Sequence, residues 1–515
     1  MSAKVRAIVI CLLAFQVLWA PDTVRSQQDA PVPPLPKSPT EGKAQDQLDF
    51  ADGLYERKMY LEAAEEYAEF IQAFPDHDKI PTALFRRAEC LYQQAFRDRE
   101  RRRELFEDAE RNLRTLLEKF PQNSRRTEAL LRRGEILCDI GRPGEAIPLF
   151  EELLKGSLPK SVEEPVRFYL AQAYWDQKNA NAAEREWETL RERFPQGRHF
   201  APATYSLALL KRQKGQLDTA ISLLKELEAE DRSFPLPEGS TLPSDARVVM
   251  ADIYRQLEEH EKAAQMYLEA SRDPRHRMSC LYGRAWALFQ SSDFKGTAGV
   301  CRELLKESGL GDREAGTLFL LGTALYETQD YQEAVDPLKK VVNHPDAEDF
   351  RTQAWYRLVW SLFLTKNYGE ASVHAKALLN KQIDPALAGD IHFVLAEIAA
   401  AAKKYSEAAA EYRTVVEQYS GSRFQEKALY GLGSMHYRAG EYEQASKAFE
   451  KFMEQYPGSP LFEEAMRWSA ESLLQAGHHE EATIRISQLI ERKPSHADLP
   501  NLLYGQGLGL LKSGQ

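Results

Sequence analysis

Apolar positions along this chain recur in blocks. Each block holds two stretches of helical period, about four turns each. A short polar turn joins them and carries glycine at Gly141, Gly215, Gly440 and Gly477. One small residue marks the second stretch of every block: Ala63, Ala109, Ala146, Ala183, Ala220, Ala263, Ala334, Ala371, Ala408, Ala445 and Ala482, with Thr297 filling one place. The commonest step between markers is 37 residues, interrupted by steps of 46, 43 and 34. Self-similarity at such a period belongs to solenoids, whose units bury their apolar faces only against neighbours. The pattern predicts an all-α chain of about twelve helix hairpins plus one terminal helix.

Two further positions keep step with the marker. Twelve residues before it stands another small residue: Ala51, Gly134, Ala171, Ala208, Ala251, Ala285, Gly322, Ala396, Gly433 and Ala470, with Val359 the departure. Four residues after it stands a large apolar one: Tyr67, Leu113, Phe150, Trp187, Tyr267, Cys301, Leu338, Tyr412, Phe449 and Ile486. In several blocks a proline follows at twelve, at Pro75, Pro121, Pro195, Pro457 and Pro494. The small residues let two antiparallel backbones approach, the large one wedges between them, and the proline stops the second helix. Gly433 and Ala445 should therefore tolerate no bulk, whereas the turn residue Glu441 should be replaceable.

Leu432-Gly433, Tyr437, Gly440, Tyr442, Ala445, Phe449 and Pro457 resemble the tetratricopeptide repeat along one whole unit. Leu321-Gly322, Tyr326, Tyr331, Ala334 and Leu338 resemble it along another. The resemblance covers residues 45–515 and implies a right-handed solenoid with no catalytic centre of its own. The extra residues of the 37-residue step fall in turns such as Tyr456 to Pro460. This variant is similar to repeat proteins of the bacterial envelope, notably the periplasmic partner of the Tol–Pal system and the lipoprotein of outer-membrane barrel assembly.

In that family the first helix of each pair lines the inner surface, at positions fifteen, eleven and eight before the marker. In one region of this chain those positions hold Tyr282, Trp286, Phe289, Phe319, Tyr326, Tyr356, Trp360 and Phe363. Aromatics at fifteen and eight also serve packing between neighbouring first helices. Trp286 and Trp360 stand where a polar residue is usual, so together the eight read as a candidate partner-binding groove. The Lys/Asn/Arg set with which related co-chaperone domains hold a carboxyl terminus is absent from those positions.

Residues 1–26 read as a secretory signal, with Lys4 and Arg6 before an apolar stretch from Ala7 to Ala20. Cleavage after Ser26, cleavage after Ala20 and retention as an anchor are the alternatives. Cys11 lies inside the apolar stretch, the wrong setting for a lipid-bearing cysteine. Residues 27–43 are rich in proline and polar residues and read as an extended spacer. No later segment approaches the length of a membrane span. The chain carries a net charge of −11 and no basic stripe, which argues against nucleic acid.

The arginine-rich run 97–103 falls in the expanded second block and reads as a solvated helix extension. A second insertion, 233–244, separates an N-terminal block (44–232) from a C-terminal one (245–515). Cys90, Cys138, Cys280 and Cys301 read as buried free thiols, although Cys280 and Cys301 lie on antiparallel helices where they could pair. The sequence holds no zinc-type His-Glu-x-x-His, no phosphate loop and no nucleophile elbow, so neither metal nor cofactor is expected. His478-His479 reads as a solvated turn pair.

The expected function is therefore an exported, non-enzymatic scaffold that binds protein or peptide segments, with cell-envelope proteins the foremost partners. A glycan-binding or polysaccharide-export component, and the interaction arm of a larger envelope enzyme, are the alternatives. At the C-terminal end Tyr504, Gly507 and Gly514 keep register with the first helix of a thirteenth repeat. Close packing is expected at Gly507. With Leu502, Leu503, Leu508, Leu510 and Leu511 this helix carries more leucine than one side can bury. The expectation is that the natural chain continues, or that self-association or a partner covers this end.

Overall fold

The computed structural model describes residues 44–229, 232–236, 239–493 and 499–515. The signal and spacer readings for 1–43, and the stop expected at Pro494, lie outside the described residues. Among those described there are 25 helices and no strand. They fall into two compact units that join at Glu258 and Glu259.

The first unit runs α1 (Ala44–Glu56), α2 (Tyr60–Ala73), α3 (Ile80–Arg97), α4 (Arg102–Lys119), α5 (Arg126–Asp139), α6 (Pro143–Leu154), α7 (Lys160–Asp176), α8 (Ala180–Arg193), α9 (Phe200–Gln213), α10 (Leu217–Glu226) and α11 (Leu242–Gln256). The second runs α12 (His260–Ala270), α13 (Arg277–Gln290), α14 (Phe294–Leu304), α15 (Arg313–Glu327), α16 (Tyr331–Asn343), α17 (Glu348–Leu364), α18 (Tyr368–Leu379) and α19 (Pro385–Ala401). It continues with α20 (Tyr405–Gln418), α21 (Gln425–Arg438), α22 (Tyr442–Gln455), α23 (Phe462–Ala476), α24 (His479–Arg492) and α25 (Leu499–Lys512). Odd-numbered helices up to α11 are first helices of hairpins, and from α13 onward the same holds.

The wedge read from the sequence is what closes each hairpin. Every marker alanine, and Thr297, is 0% exposed. A Cβ placed on Gly134 would lie 2.4 Å from the Phe150 ring, one on Gly322 2.6 Å from Leu338, and one on Gly433 2.8 Å from Phe449. The glycine is thus the socket for the bulky residue sixteen positions later. Where the socket is larger the plug shrinks: Val359 faces Ala375 at the matching place, and both lie fully buried in one apolar cluster. Tyr267 and Tyr412 reach further, with their ring tips against Gly283 and Gly431 of the next first helix.

Outside the expanded second repeat, the turn inside each hairpin takes a left-handed residue five places before the marker. Glycine supplies it at Gly141, Gly215, Gly440 and Gly477. Lys58, Lys178, Glu258, Ser292, Gln329, Lys366 and Lys403 take the same conformation at φ 60–66° despite their side chains. Glu441, one place further on, is less replaceable than it reads, because its carboxylate meets Nδ1 of the buried His436.

The second repeat absorbs its extra residues by lengthening both helices to 18 residues. Its arginines are engaged locally: Arg103 with Glu107 at 3.0 Å, Arg101 with Glu104 at 3.3 Å, and Arg97 with the Lys58 carbonyl at 2.7 Å. The 233–244 insertion ends earlier than expected, since Leu242 already begins α11. It does not separate compact units either. Phe234 is buried against Phe200 at 4.8 Å, and α11 packs back on α9 and α10, so the first unit extends to Glu258.

On α25 close packing falls on Gly505 and Gly509, not on Gly507 as the register suggested. A Cβ on Gly509 would lie 2.4 Å from the Thr483 hydroxyl, and one on Gly505 would lie 3.4 Å from Ile486, whereas around Gly507 there is nothing within 4 Å.

None of the four described cysteines forms a disulfide, and Cys138 is half-buried and the others buried. The pairing considered for Cys280 and Cys301 is not formed. Burial pushes the Cys90 and Cys301 thiols up to about 12.

Two measurements test this account. Gly433→Leu should cost about 1–3 kcal/mol by forcing Phe449 out of its socket, read as a lowered urea midpoint at constant helix content. Lys403→Gly should gain up to about 1 kcal/mol by relieving the left-handed strain, and an unchanged or lowered midpoint would contradict it.

Candidate functional site

In the second unit successive first helices touch directly, α13 with α15, α15 with α17, and α17 with α19. No two successive second helices meet to a comparable extent. The first-helix side is therefore the tighter, inner side of this unit, and the eight candidate residues stand on it.

The three residues at position eight have a local task. Phe289 packs on Phe294 at 5.6 Å, Tyr326 on Tyr331 at 5.5 Å, and Phe363 on Tyr368 at 5.9 Å. Tyr55 with Tyr60 and Tyr437 with Tyr442 repeat the arrangement outside the candidate set. Each ring bridges the turn of its own hairpin, and all three candidates at this position are half-buried.

The tryptophans belong to something longer. Trp286 tilts against Phe350 at 6.2 Å, and Phe350 stacks on Phe319 at 4.9 Å and 18°. Trp360 stacks on Phe424 at 5.1 Å, and Phe424 stacks on Phe393 at 4.4 Å and 8°. Tyr282 and Tyr356 flank the two tryptophans, each at 6.4 Å. The two sets are the same construction, displaced by two repeats of 37. In each, a ring from the start of one first helix closes over rings from the two preceding first helices. Phe350 and Phe424 escaped the sequence reading because they lie before the three inner positions. Their signal was present, since each follows its tryptophan by 64 residues.

The resulting surface is less open than the sequence implied. Trp360 is 6% exposed and Phe319 4%, while Tyr282, Trp286 and Tyr356 are half-buried. The second set also carries a polar clasp that the first lacks. The Tyr356 hydroxyl donates to Asp390 at 2.8 Å, the Arg423 guanidinium meets Asp390 at 3.2 Å, and Ser422 donates to the same carboxylate at 2.8 Å. Arg423 lies 4.8 Å from the Phe424 ring centre. Burial, then the hydrogen bond to Asp390, raises the Tyr356 hydroxyl well above its ordinary value.

Tetratricopeptide-repeat models match residues 169–235 and 367–423, 317–347, and 244–272. The chain is a tetratricopeptide-repeat protein. A second family model, YfiO, described as outer membrane lipoprotein, matches this repeat protein at 35–137 and 422–515. No curated protein matches it. Similar solved structures include a tetratricopeptide repeat protein from Parabacteroides merdae, 17% identical, covering 53% of this chain and 98% of that one at TM-score 0.33. Another is the C-terminal part of a repeat-containing protein from Cytophaga hutchinsonii, 12% identical, covering 50% and 98% at TM-score 0.40. A third is Naa15/Naa10 bound to HypK-THB, 16% identical, covering 92% and 68% at TM-score 0.32. At such identities and scores they speak to neither partners nor shape.

Several carboxylates are also buried elsewhere in the repeat protein. In the first unit the buried Glu89 pairs with Arg132 at 2.6 Å, Arg132 also meets Glu135, and Arg133 meets Glu110 at 2.9 Å. Glu89 and Glu110 thus meet guanidinium partners across neighbouring repeats, and Glu135 meets one on its own helix. Among the described residues no cluster could hold a metal ion, and no helix is long and apolar enough to cross a membrane. His478 is half-exposed beside Glu443 and Glu481 at 3.9 and 3.8 Å.

Trp360→Ala should lower stability by about 3–5 kcal/mol, as for a large ring removed from a packed interior. Trp286→Ala should cost about half as much. Equal losses, measured by urea unfolding followed by circular dichroism, would show that the two sets are not graded as their burial indicates.

Proposed function

We propose that this repeat protein is an exported scaffold that binds segments of other proteins along the first-helix side of its second unit, in assembly or upkeep of the cell envelope. The observation that carries the reading is the outer-membrane-lipoprotein model, which matches two well-separated stretches, 35–137 and 422–515. Repeat families of this kind act by presenting surface, and the inner side offers half-buried aromatics with polar neighbours. The signal reading of residues 1–26 agrees with that address.

The glycan reading draws less support. A sugar ring needs an open aromatic face, and Phe424 and Phe350 already lie over Trp360 and Trp286. The protein reading asks only for ring edges and backbone along a shallow surface.

A photo-reactive side chain placed at the exposed Gln290 or Glu327 on the inner side should capture a discrete envelope protein. The same group at Val373, 67% exposed on the second-helix side, should not. Equal capture from both sides, or capture of glycan alone from Gln290, would sink the proposal.

A further inference from the structure

Phe350 and Phe424 have a counterpart in the first unit. Each follows the ring it stacks on, Phe319 or Phe393, by 31 residues, and 31 residues after Phe168 stands His199. Its imidazole tilts over Phe168 at 5.0 Å and 31°, with the Tyr169 ring at 6.3 Å. The closure is thus built a third time, with a titratable ring in place of phenylalanine. It is also more deeply set. His199 is 1% exposed, whereas Phe350 and Phe424 are half-buried. Glu135 stands where the other two closures have tryptophan, and it meets Arg132.

A carboxylate fixes this ring, much as Asp390 holds Ser422 in the loop before α21. Glu164 on α7 accepts from the His199 backbone N–H at 2.6 Å and lies 3.1 Å from Nδ1. Gly197 permits that approach, since a Cβ there would lie 2.5 Å from the carboxylate. The contact places the ring's one proton on Nδ1, so a second must go to Nε2. That atom is buried and makes no hydrogen bond among the described residues. A charged ring here would carry a buried donor without an acceptor, at a cost it does not bear in water.

The position matters because the joint is thin. Helix α5 packs directly on α7, and α9 on α11, but α7 and α9 scarcely touch. The joint between their two hairpins is left to α8 and to the His199 loop. We propose that this loop is an acid-operated latch: the neutral imidazole holds α9 to α7, and the protonated one releases it. The charged groups nearest the ring are Glu164 on α7 and Arg198 in the loop itself. Glu163 on α7 is held by Arg167 and by Arg193 of α8, and Glu135 of α5 by Arg132. The first turn of α9 brings none. Burial, opposed by Glu164 and reinforced by Arg198, holds the imidazole below its ordinary value of 6.5. The stability it lends is therefore complete above pH 6.5 and is lost as the pH falls below it. Glu164 is itself held below 4.5, its burial outweighed by the hydrogen bonds from His199, so it stays a carboxylate across that window. The latch acts in the first unit and does not depend on what the second unit binds.

Hydrogen exchange of the full chain at pH 7.5 and pH 5.5, scaled for the pH dependence of exchange itself, reads the latch directly. Protection of residues 194–204 should fall on the order of tenfold in acid, as for an opening that takes up one proton. The matching segments closed by phenylalanine, 345–355 and 419–429, should keep theirs. His199→Phe installs the ring used at those two closures and should make 194–204 equally indifferent to acid. If that variant fails to fold, the comparison within the wild-type chain still decides. Unchanged protection of 194–204 at pH 5.5 overturns the proposal, as does a loss shared equally by all three segments. A folded His199→Phe chain that opens in acid as the wild type does overturns it too.

Discussion

The seating of one bulky side chain over one small residue, sixteen positions apart, is the contact on which this architecture depends. It sets how closely the two helices of a hairpin approach. It also fixes which faces remain for neighbours. With the Phe150 ring over Gly134 and the Phe449 ring over Gly433, the marker alanine is pressed fully out of solvent, and the first helix turns its remaining side toward the preceding and following hairpins. Hydrophobic burial is then shared among neighbours along the array, as expected when units of this size cannot bury a core alone. The charged groups follow the same geometry, since Arg132 and Arg133 find carboxylates on adjacent repeats.

Most of this was legible in the chain. Helix number, hairpin pairing, the buried marker and the free thiols are properties of single helices or single hairpins, and a sequence of steady period displays them. What was not legible lies one level further out. Phe350 and Phe424 act across two repeats, and their stacking depends on how far each hairpin rises along the array, which no helical wheel contains. Gly505 and Gly509 hold the place assigned to Gly507 because α25 must pack on the preceding hairpin before it can offer anything to a following one. The 233–244 insertion reads as a boundary by composition. Phe234 and α11 show that a loop rich in proline can still be stitched to the unit it leaves.

The eight aromatic positions illustrate how packing and recognition share residues. Those eight places before the marker bridge turns, and those at fifteen and eleven build two matching ring stacks. The second stack is finished with the Tyr356, Asp390, Ser422 and Arg423 clasp, and the first is not. At Gly316, where the second stack has Asp390, a Cβ would lie 2.2 Å from the Tyr282 hydroxyl, so there is no room for a carboxylate. The first stack is thereby left without the group that recruits an arginine.

The exchange of sizes at Val359 and Ala375 carries a consequence for how the chain reaches its native state. Tandem repeats of similar sequence invite a helix to pair with the wrong neighbour, and such mispaired intermediates trap arrays during folding. Here the plugs range from alanine through cysteine and leucine to tryptophan, and the alanine plug, Ala375, stands at the valine socket, Val359. A bulky plug shifted by one repeat onto Val359 would clash, and Ala375 shifted onto a smaller socket would leave a void. This one hairpin therefore carries a pairing preference written in side-chain volume.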